Sequence, residues 1–215
     1  MKNYVITIDD IQQSMNSAKR CIESGSRHGI LIENFPAVTP RNTNVYSKLA
    51  DEGISSIGFQ EKYSRLENCI AAFLSHYSLW KKCIDDNINY TIFEHDAVVV
   101  DQLNSNILFD KVVTLGKPSY GRFNTPSFLG TGPLTQKKYF GGAHAYRISP
   151  EGAKALVTQA KVHAKPTDVF LHIDTFPWLQ ENYPWKVEVK ESFSTIQKTE
   201  GCLAKHGYGE GYDLL

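Results

Sequence analysis

The stretch Asn89-Tyr90-Thr91-Ile92-Phe93-Glu94-His95-Asp96 decides the fold. Tyr90 to Phe93 are aromatic or β-branched and uncharged, the composition of a buried strand, and the run then breaks on acids. Successive side chains of an extended chain face opposite ways, so Glu94 and Asp96 are expected on one side and His95 on the other. Just upstream, Leu66, Ile70, Phe73, Tyr77, Trp80 and Ile84 recur at spacings of three and four, the stripe of an amphipathic helix at roughly 100° per residue. Asp85-Asp86-Asn87 ends that helix. A helix feeding a buried strand is half of a crossover unit, which predicts an α/β fold. On the helical wheel Ser75 points away from the stripe, beside Ala71 and close to Ala72, while His76 lies on its shoulder. Small side chains there leave room for a backbone or ligand.

Toward the N-terminus, residues 4–8 form another β-type run and 14–24 have helix-compatible spacing before Gly25. Gly29-Ile30-Leu31-Ile32 predicts a second strand. The two prolines of Asn34-Phe35-Pro36-Ala37-Val38-Thr39-Pro40 argue against a regular element, and 41–64 reads as a polar connector. On the other side, 112–115 predicts a strand, 116–136 a long surface loop, and 141–148 a strand led by glycines. Ser149-Pro150-Glu151 supplies an N-cap, a first-turn proline and an acid at the positive end of a helix reaching Val162. Pro166-Thr167-Asp168 suggests a cap for a short helix through Trp178, residues 185–189 a last strand, and 203–215 a flexible tail.

The chain has 215 residues, 41% of them hydrophobic and 12% aromatic, enough to build a core and to exclude a disordered or fibrous protein. Lys plus Arg and Asp plus Glu each number 23, so bulk attraction to nucleic acid or anionic lipid is not expected. No apolar run approaches the roughly 20 residues needed to span a bilayer. The start of the chain runs straight into strand-like sequence and Asp9-Asp10, without the features of a secretion signal. Cys21, Cys69, Cys83 and Cys202 make no C-x-x-C pair and read as reduced, packed thiols. Together these features predict one soluble, cytoplasmic domain over 1–215; the oligomeric state is left open.

Two carboxylates at the C-terminal edge of an α/β sheet, where ligands bind, suit a hard divalent cation that bridges phosphate oxygens. Taken alone, they read more readily as a solvated strand end.

Three blocks carry a resemblance in order: Leu74-Ser75-His76-Tyr77-Ser78-Leu79-Trp80, then Ile92-Phe93-Glu94-His95-Asp96, then Ala145-Tyr146-Arg147-Ile148-Ser149-Pro150-Glu151-Gly152-Ala153. With Val5-Ile6-Thr7-Ile8, Phe35-Pro36-Ala37-Val38 and Phe109-Asp110-Lys111-Val112-Val113-Thr114-Leu115-Gly116 they resemble glycosyltransferase family 25 across residues 4–170. That family comprises lipopolysaccharide-biosynthesis sugar transferases and their collagen-modifying relatives. The resemblance implies a single Rossmann-like domain of the A-type glycosyltransferase fold, with a mixed, mostly parallel central sheet flanked by helices. It implies an inverting transfer from a nucleotide-diphosphate sugar, UDP-linked, to a hydroxyl of a glycan or lipopolysaccharide.

It also implies a manganese or magnesium ion on the donor diphosphate, at Glu94, His95 and Asp96. Asp96 would touch the metal, and Glu94 would bond the ribose or a metal-bound water. The family's middle acid is His95 here, which removes one negative charge from the site when the imidazole is neutral; as a third ligand His95 would stand on the wrong side of the strand. The family's Gly-Cys before the Ser-His pair is Ala71-Ala72. Ser75 and His76 match the helix pair of the donor pocket. Ile8, Ala37 and Thr39 match segments beside the base and ribose, and Gly142 would bring backbone against the donor sugar. An inverting transfer needs a general base near the acceptor hydroxyl. Asp168 matches a Pro-x-Asp block and is the leading candidate, Asp174 the second. His206 in the tail is a candidate late metal ligand, and Phe123, Phe128 and Tyr139 are candidates to stack on the acceptor.

Other readings stay open at this point. The same chemistry could act on a hydroxymethylated base in DNA, given a cationic surface built from Arg122, Lys137 and Lys138. A nucleotide- or glycan-binding domain could have lost catalysis with His95. A metal-dependent hydrolase or nucleotidyltransferase could use Glu94 and Asp96.

Overall fold

A computed structural model describes residues 1–60, 64–103, 106–190, 193–198 and 213–215. In chain order its first elements are β1 (Lys2–Thr7), α1 (Gln12–Arg27), β2 (Glu33–Pro36), α2 (Val45–Asp51), α3 (Leu66–Asp86), β3 (Tyr90–Glu94) and β4 (Ala97–Val99). Then come β5 (Val112–Thr114), β6 (Gly130–Pro133), β7 (Ala145–Ile148), α4 (Pro150–Val162), α5 (Thr167–Phe170), β8 (Gln180–Tyr183), β9 (Val187–Val189), β10 (Phe193–Ser194) and β11 (Asp213–Leu214).

The described residues form a seven-stranded sheet in the order β2-β1-β3-β7-β5-β8-β6. β1, β2, β3, β5 and β8 share one direction, while β7 and β6 oppose it. This is the mixed, mostly parallel sheet expected. Side-chain alternation divides the core in two. Tyr4, Ile6, Tyr90, Ile92, Tyr146 and Ile148 face α3 and α4, while Val5, Phe93, Val113 and Ala145 face the α1 side. Burying each large apolar side chain of these layers contributes about 1.5–3 kcal/mol. The chain leaves β1 for β2 on one side and later returns to β3 on the other. The order therefore reverses at β1, and a crevice opens beyond the carboxyl ends of β1 and β3.

Helix α3 runs as its stripe predicts and ends at Asn87, whose φ of 52° is the left-handed stop that asparagine tolerates. Ser149 caps α4 by accepting the Gly152 N–H at 3.1 Å, worth about 1 kcal/mol.

Several expectations need correction. The second strand is not residues 29–32 but β2, which contains Pro36. Ile32 is instead buried in the α1-side core, and an edge strand such as β2 tolerates a missing N–H. The connector 41–64 contains α2, whose N-cap Asn44 accepts the Ser47 N–H at 3.0 Å while Val45 and Leu49 are buried. The loop 116–136 contains the edge strand β6. The short helix after Pro166 stops at Phe170 rather than Trp178, and its side chains do not include a cap. His95 and Asp96 form a turn into β4, so strand alternation ends at Glu94 and does not fix where His95 points.

Cys21, Cys69 and Cys83 are free and buried, and burial pushes all three thiols up to about 12. No helix among the described residues is long and apolar enough to cross a membrane. Cys202, His206 and most of the expected tail lie outside the described residues.

Candidate active site

A cleft of about 900 Å³ occupies the crevice. Its floor comes from the ends of β1 and β2. The Ile8 N–H donates to Ser14 Oγ at 2.9 Å, which ties the exit of β1 to α1. The Ala37 N–H donates to the Thr7 carbonyl at 2.8 Å, and the Val38 N–H to Ser75 Oγ at 2.9 Å. Ser75 in turn donates to the Ala71 carbonyl at 2.9 Å. The small face of α3 thus receives a backbone, as the wheel allowed, and that backbone is the 37–39 segment. Thr39 and Asn42 brace the segment by exchanging hydrogen bonds.

Glu94, at the last position of β3, meets His76 across the cleft wall, with Nε2 3.2 Å from Oε1. His76 Nδ1 lies 2.9 Å from the Tyr146 hydroxyl, which accepts from Trp80 Nε1 at 2.7 Å. An ionised Glu94 can only accept, so His76 Nε2 carries the proton and Nδ1 accepts from the Tyr146 hydroxyl, whose oxygen receives the indole N–H. A neutral His76 is then the Nε2–H tautomer and donates to Glu94. Burial pushes the Glu94 carboxyl up, but the His76 hydrogen bond and the electrostatic pull of the His76, His144 and His95 rings carry it below its ordinary value.

His95 lines the cleft, and its Nδ1 is 3.0 Å from Ser14 Oγ. Its ring stacks on Phe193 with centroids 5.1 Å apart. Burial lowers the imidazole to about 4, so it is neutral near pH 7. Asp96 lines the same wall.

Asp168 lines the same cleft from the first turn of α5 and accepts a short hydrogen bond from the Tyr120 hydroxyl. Its other oxygen accepts the Val169 N–H at 2.9 Å. Burial holds this carboxyl above its ordinary value, against the pull of those two donors, and the charge of Glu94 adds to the rise. Gly142 borders the cleft at φ 98°, where a Cβ would lie 2.5 Å from Ser119 Oγ. A side chain there would strain the backbone as well as collide.

The cleft therefore gathers Ile8, Ala37, Thr39, Ser75, His76, Glu94, His95, Asp96, Gly142 and Asp168. Asp174 does not belong with them. It is exposed, and outside the cleft its backbone N–H donates to His172 Nδ1 at 3.1 Å. His206 falls outside the described residues. Of the loop aromatics, Tyr139 borders the cleft, Phe123 packs edge-on against Trp185 and lines a neighbouring cavity, and Phe128 lies against Gly132.

Sequence reasoning missed Tyr120, Tyr146 and Trp80 as partners of site groups. For Trp80 a signal existed: His76 and Trp80 are four apart on one helix and so share a face. Tyr120 gave a weaker one, an aromatic between Pro118-Ser119 and Gly121 in a loop already singled out.

A family model described as glycosyltransferase family 25 (LPS biosynthesis protein) matches residues 1–171. A Haemophilus influenzae protein named "Putative glycosyltransferase" is 26% identical over 198 residues, covering 83% of this chain and 67% of that protein. A Drosophila pseudoobscura pseudoobscura protein named "Glycosyltransferase 25 family member" is 25% identical over 175 residues, covering 74% of this chain but only 27% of that protein. Among solved structures, galactosyltransferase LgtC in complex with donor and acceptor sugar analogs matches at 12% identity and a TM-score of 0.47, covering 95% of this chain and 91% of that one.

Proposed function

The chain belongs to glycosyltransferase family 25, and we propose that it transfers a sugar from a nucleotide-diphosphate donor, UDP-linked, to a hydroxyl of a glycan with inversion at the anomeric carbon. One observation carries this reading. A single cleft at the carboxyl ends of parallel strands gathers Glu94 and Asp96, from the end of β3, and a raised-pKa carboxyl, Asp168, from α5.

The base and ribose lie over the 37–39 segment and Ile8, with Glu94 on the ribose. His76 holds Glu94 charged and oriented through the Tyr146 and Trp80 chain. The donor wall fits a magnesium or manganese ion. Such ions keep several waters and take one or two carboxylates plus phosphate oxygens rather than an all-protein cage. Asp96 and Glu94 supply two carboxylates, and no group of three ligating side chains stands among the described residues. When bound, the ion neutralises charge that develops on the departing diphosphate.

Asp168 acts as general base. It takes the proton of the acceptor hydroxyl as that oxygen bonds to the anomeric carbon from the face opposite the diphosphate, which leaves with the electron pair of its own bond. A carboxyl raised above its usual range is a stronger base once ionised. Tyr120 holds it in place.

Thermal shift against a panel of nucleotide-diphosphate sugars, with and without manganese, tests the donor, because a ligand at a hundred times its dissociation constant adds roughly 2.7 kcal/mol. The expected result is stabilisation by a UDP-sugar that needs the metal, followed by transfer to a glycan with inverted anomeric configuration by NMR. No stabilisation by any nucleotide sugar would remove the proposal. Donor hydrolysis indifferent to every acceptor would make the protein a hydrolase.

A further inference from the structure

Beside the main cleft lies a second, open cavity of about 760 Å³, and Gly121, Arg122, Lys137 and Tyr139 border both. The charge of this cavity is one-sided. Arg122, Lys137 and Lys138 line it and no Asp or Glu does, in a chain with 23 residues of each sign. Lys137 is positioned by rings: its Nζ lies 4.7 Å from the Tyr120 centroid and 5.2 Å from that of Tyr139. Aromatic faces hold a cation without cancelling its charge, as a carboxylate partner would. The backbone beneath is pinned. Glu181, fully buried, accepts the Thr135 N–H at 2.7 Å, the Thr135 hydroxyl at 2.6 Å and the Gln136 N–H at 3.2 Å. Gln136 Oε1 accepts from Trp185 Nε1 at 2.9 Å. Lys137 and Lys138 thus project from a fixed segment.

Tyr120 joins the two cavities chemically: its hydroxyl bonds Asp168 and its ring carries Lys137. From this arrangement, and resting on the transferase reading above, we propose that the second cavity is the acceptor subsite and that it takes a glycan bearing an anionic group, carboxylate or phosphate. The anion meets Arg122, whose planar fork matches either oxyanion, and the two lysines. The acceptor hydroxyl then falls beside Asp168. A cavity of this size holds a small ligand. A polynucleotide would call for a longer cationic stripe than Arg122, Lys137 and Lys138 make here.

Titration of the full chain by NMR with glucose, glucuronic acid and glucose 6-phosphate tests the idea. At least one of the two anionic sugars is expected to bind about ten-fold or more tighter than glucose, the scale of one charge-assisted hydrogen bond. Which one binds tighter identifies the anion. The advantage should shrink with added salt and vanish in Arg122→Gln and Lys138→Gln, with glucose affinity unchanged. Equal affinity for all three sugars would overturn the subsite. So would a single-stranded oligonucleotide that binds more tightly than both anionic sugars and loses its binding in the same two variants. UDP binding with manganese, measured on the same sample, separates the two levels: loss of UDP binding sinks the transferase reading, whereas UDP binding without sugar discrimination sinks the acceptor subsite alone.

Discussion

Glu94 and Asp168 face one cleft and titrate in opposite directions. Glu94 is brought below its ordinary value by an imidazole that donates to it. Asp168 is held above its own by burial, against a phenol and the backbone N–H groups of Val169 and Asp168 itself, and with the negative charge of Glu94 adding to the rise. Paired groups whose surroundings push their pKa values apart mark a division of labour. In our reading the wall that stays anionic handles the donor, and the wall that favours a proton receives one from the acceptor. The difference comes from neighbours rather than from the carboxyls: an imidazole backs one, a buried phenol the other.

The largest effect that would break this contrast comes from the donor wall. Asp96→Asn should abolish transfer, leave the circular dichroism spectrum unchanged and make UDP binding indifferent to manganese. Full turnover in this variant would end the metal assignment. Next comes the other wall. Asp168→Asn should lower kcat/KM by about 10²–10⁴-fold, the usual worth of a positioned general base, while UDP affinity stays at the wild-type value. Were UDP affinity to fall with activity, Asp168 would belong to the donor side and the contrast between the walls would disappear.

How much of this could be read beforehand depends on the range of the interaction that fixes each part. The helix at 66–86 was legible because its stripe faces a continuous core, so periodicity and burial agree. Ser149 was legible because a cap is a contact three residues long. The 29–32 strand misled because an apolar run reports burial, and Ile32 is buried without being paired. In α2 the signal was short and sat within polar sequence. At the site, resemblance supplied positions such as Ser75, His76 and Asp168, but not their partners. Glu94 and His76 are 18 apart, Asp168 and Tyr120 48 apart, and His76 and Tyr146 70 apart. Contacts of that range are set by the sheet order, which no local pattern encodes. Asp174 shows the converse, since a spacing that kept it close in sequence placed it outside the cleft.

A smaller change on the donor wall would sharpen the contrast. Tyr146→Phe removes the acceptor for Trp80 Nε1 and the donor to His76 Nδ1, in a place where both are buried. Leaving one such group unsatisfied costs about 1–3 kcal/mol, read as a lower midpoint in urea. Donor KM should rise as Glu94 loses its backing, with the acid limb of kcat/KM still governed by Asp168.

The smallest expected effect is the most specific. Tyr120→Phe keeps the ring that carries Lys137 and deletes only the hydroxyl that bonds Asp168. That hydrogen bond favours the ionised carboxylate and lowers its pKa, so removing it must raise a value that burial has already raised. A general base works only when ionised, so the rate falls as pH drops through the pKa of Asp168. The acid limb of kcat/KM should therefore move to higher pH in Tyr120→Phe, with the plateau at high pH little changed. Removing the negative charge opposite, as in Glu94→Gln, should move the same limb to lower pH, because that charge also raises Asp168. Opposite displacements from opposite walls are what a single cleft with one base between them requires; two limbs moving together would mean that the pH profile reports some other group.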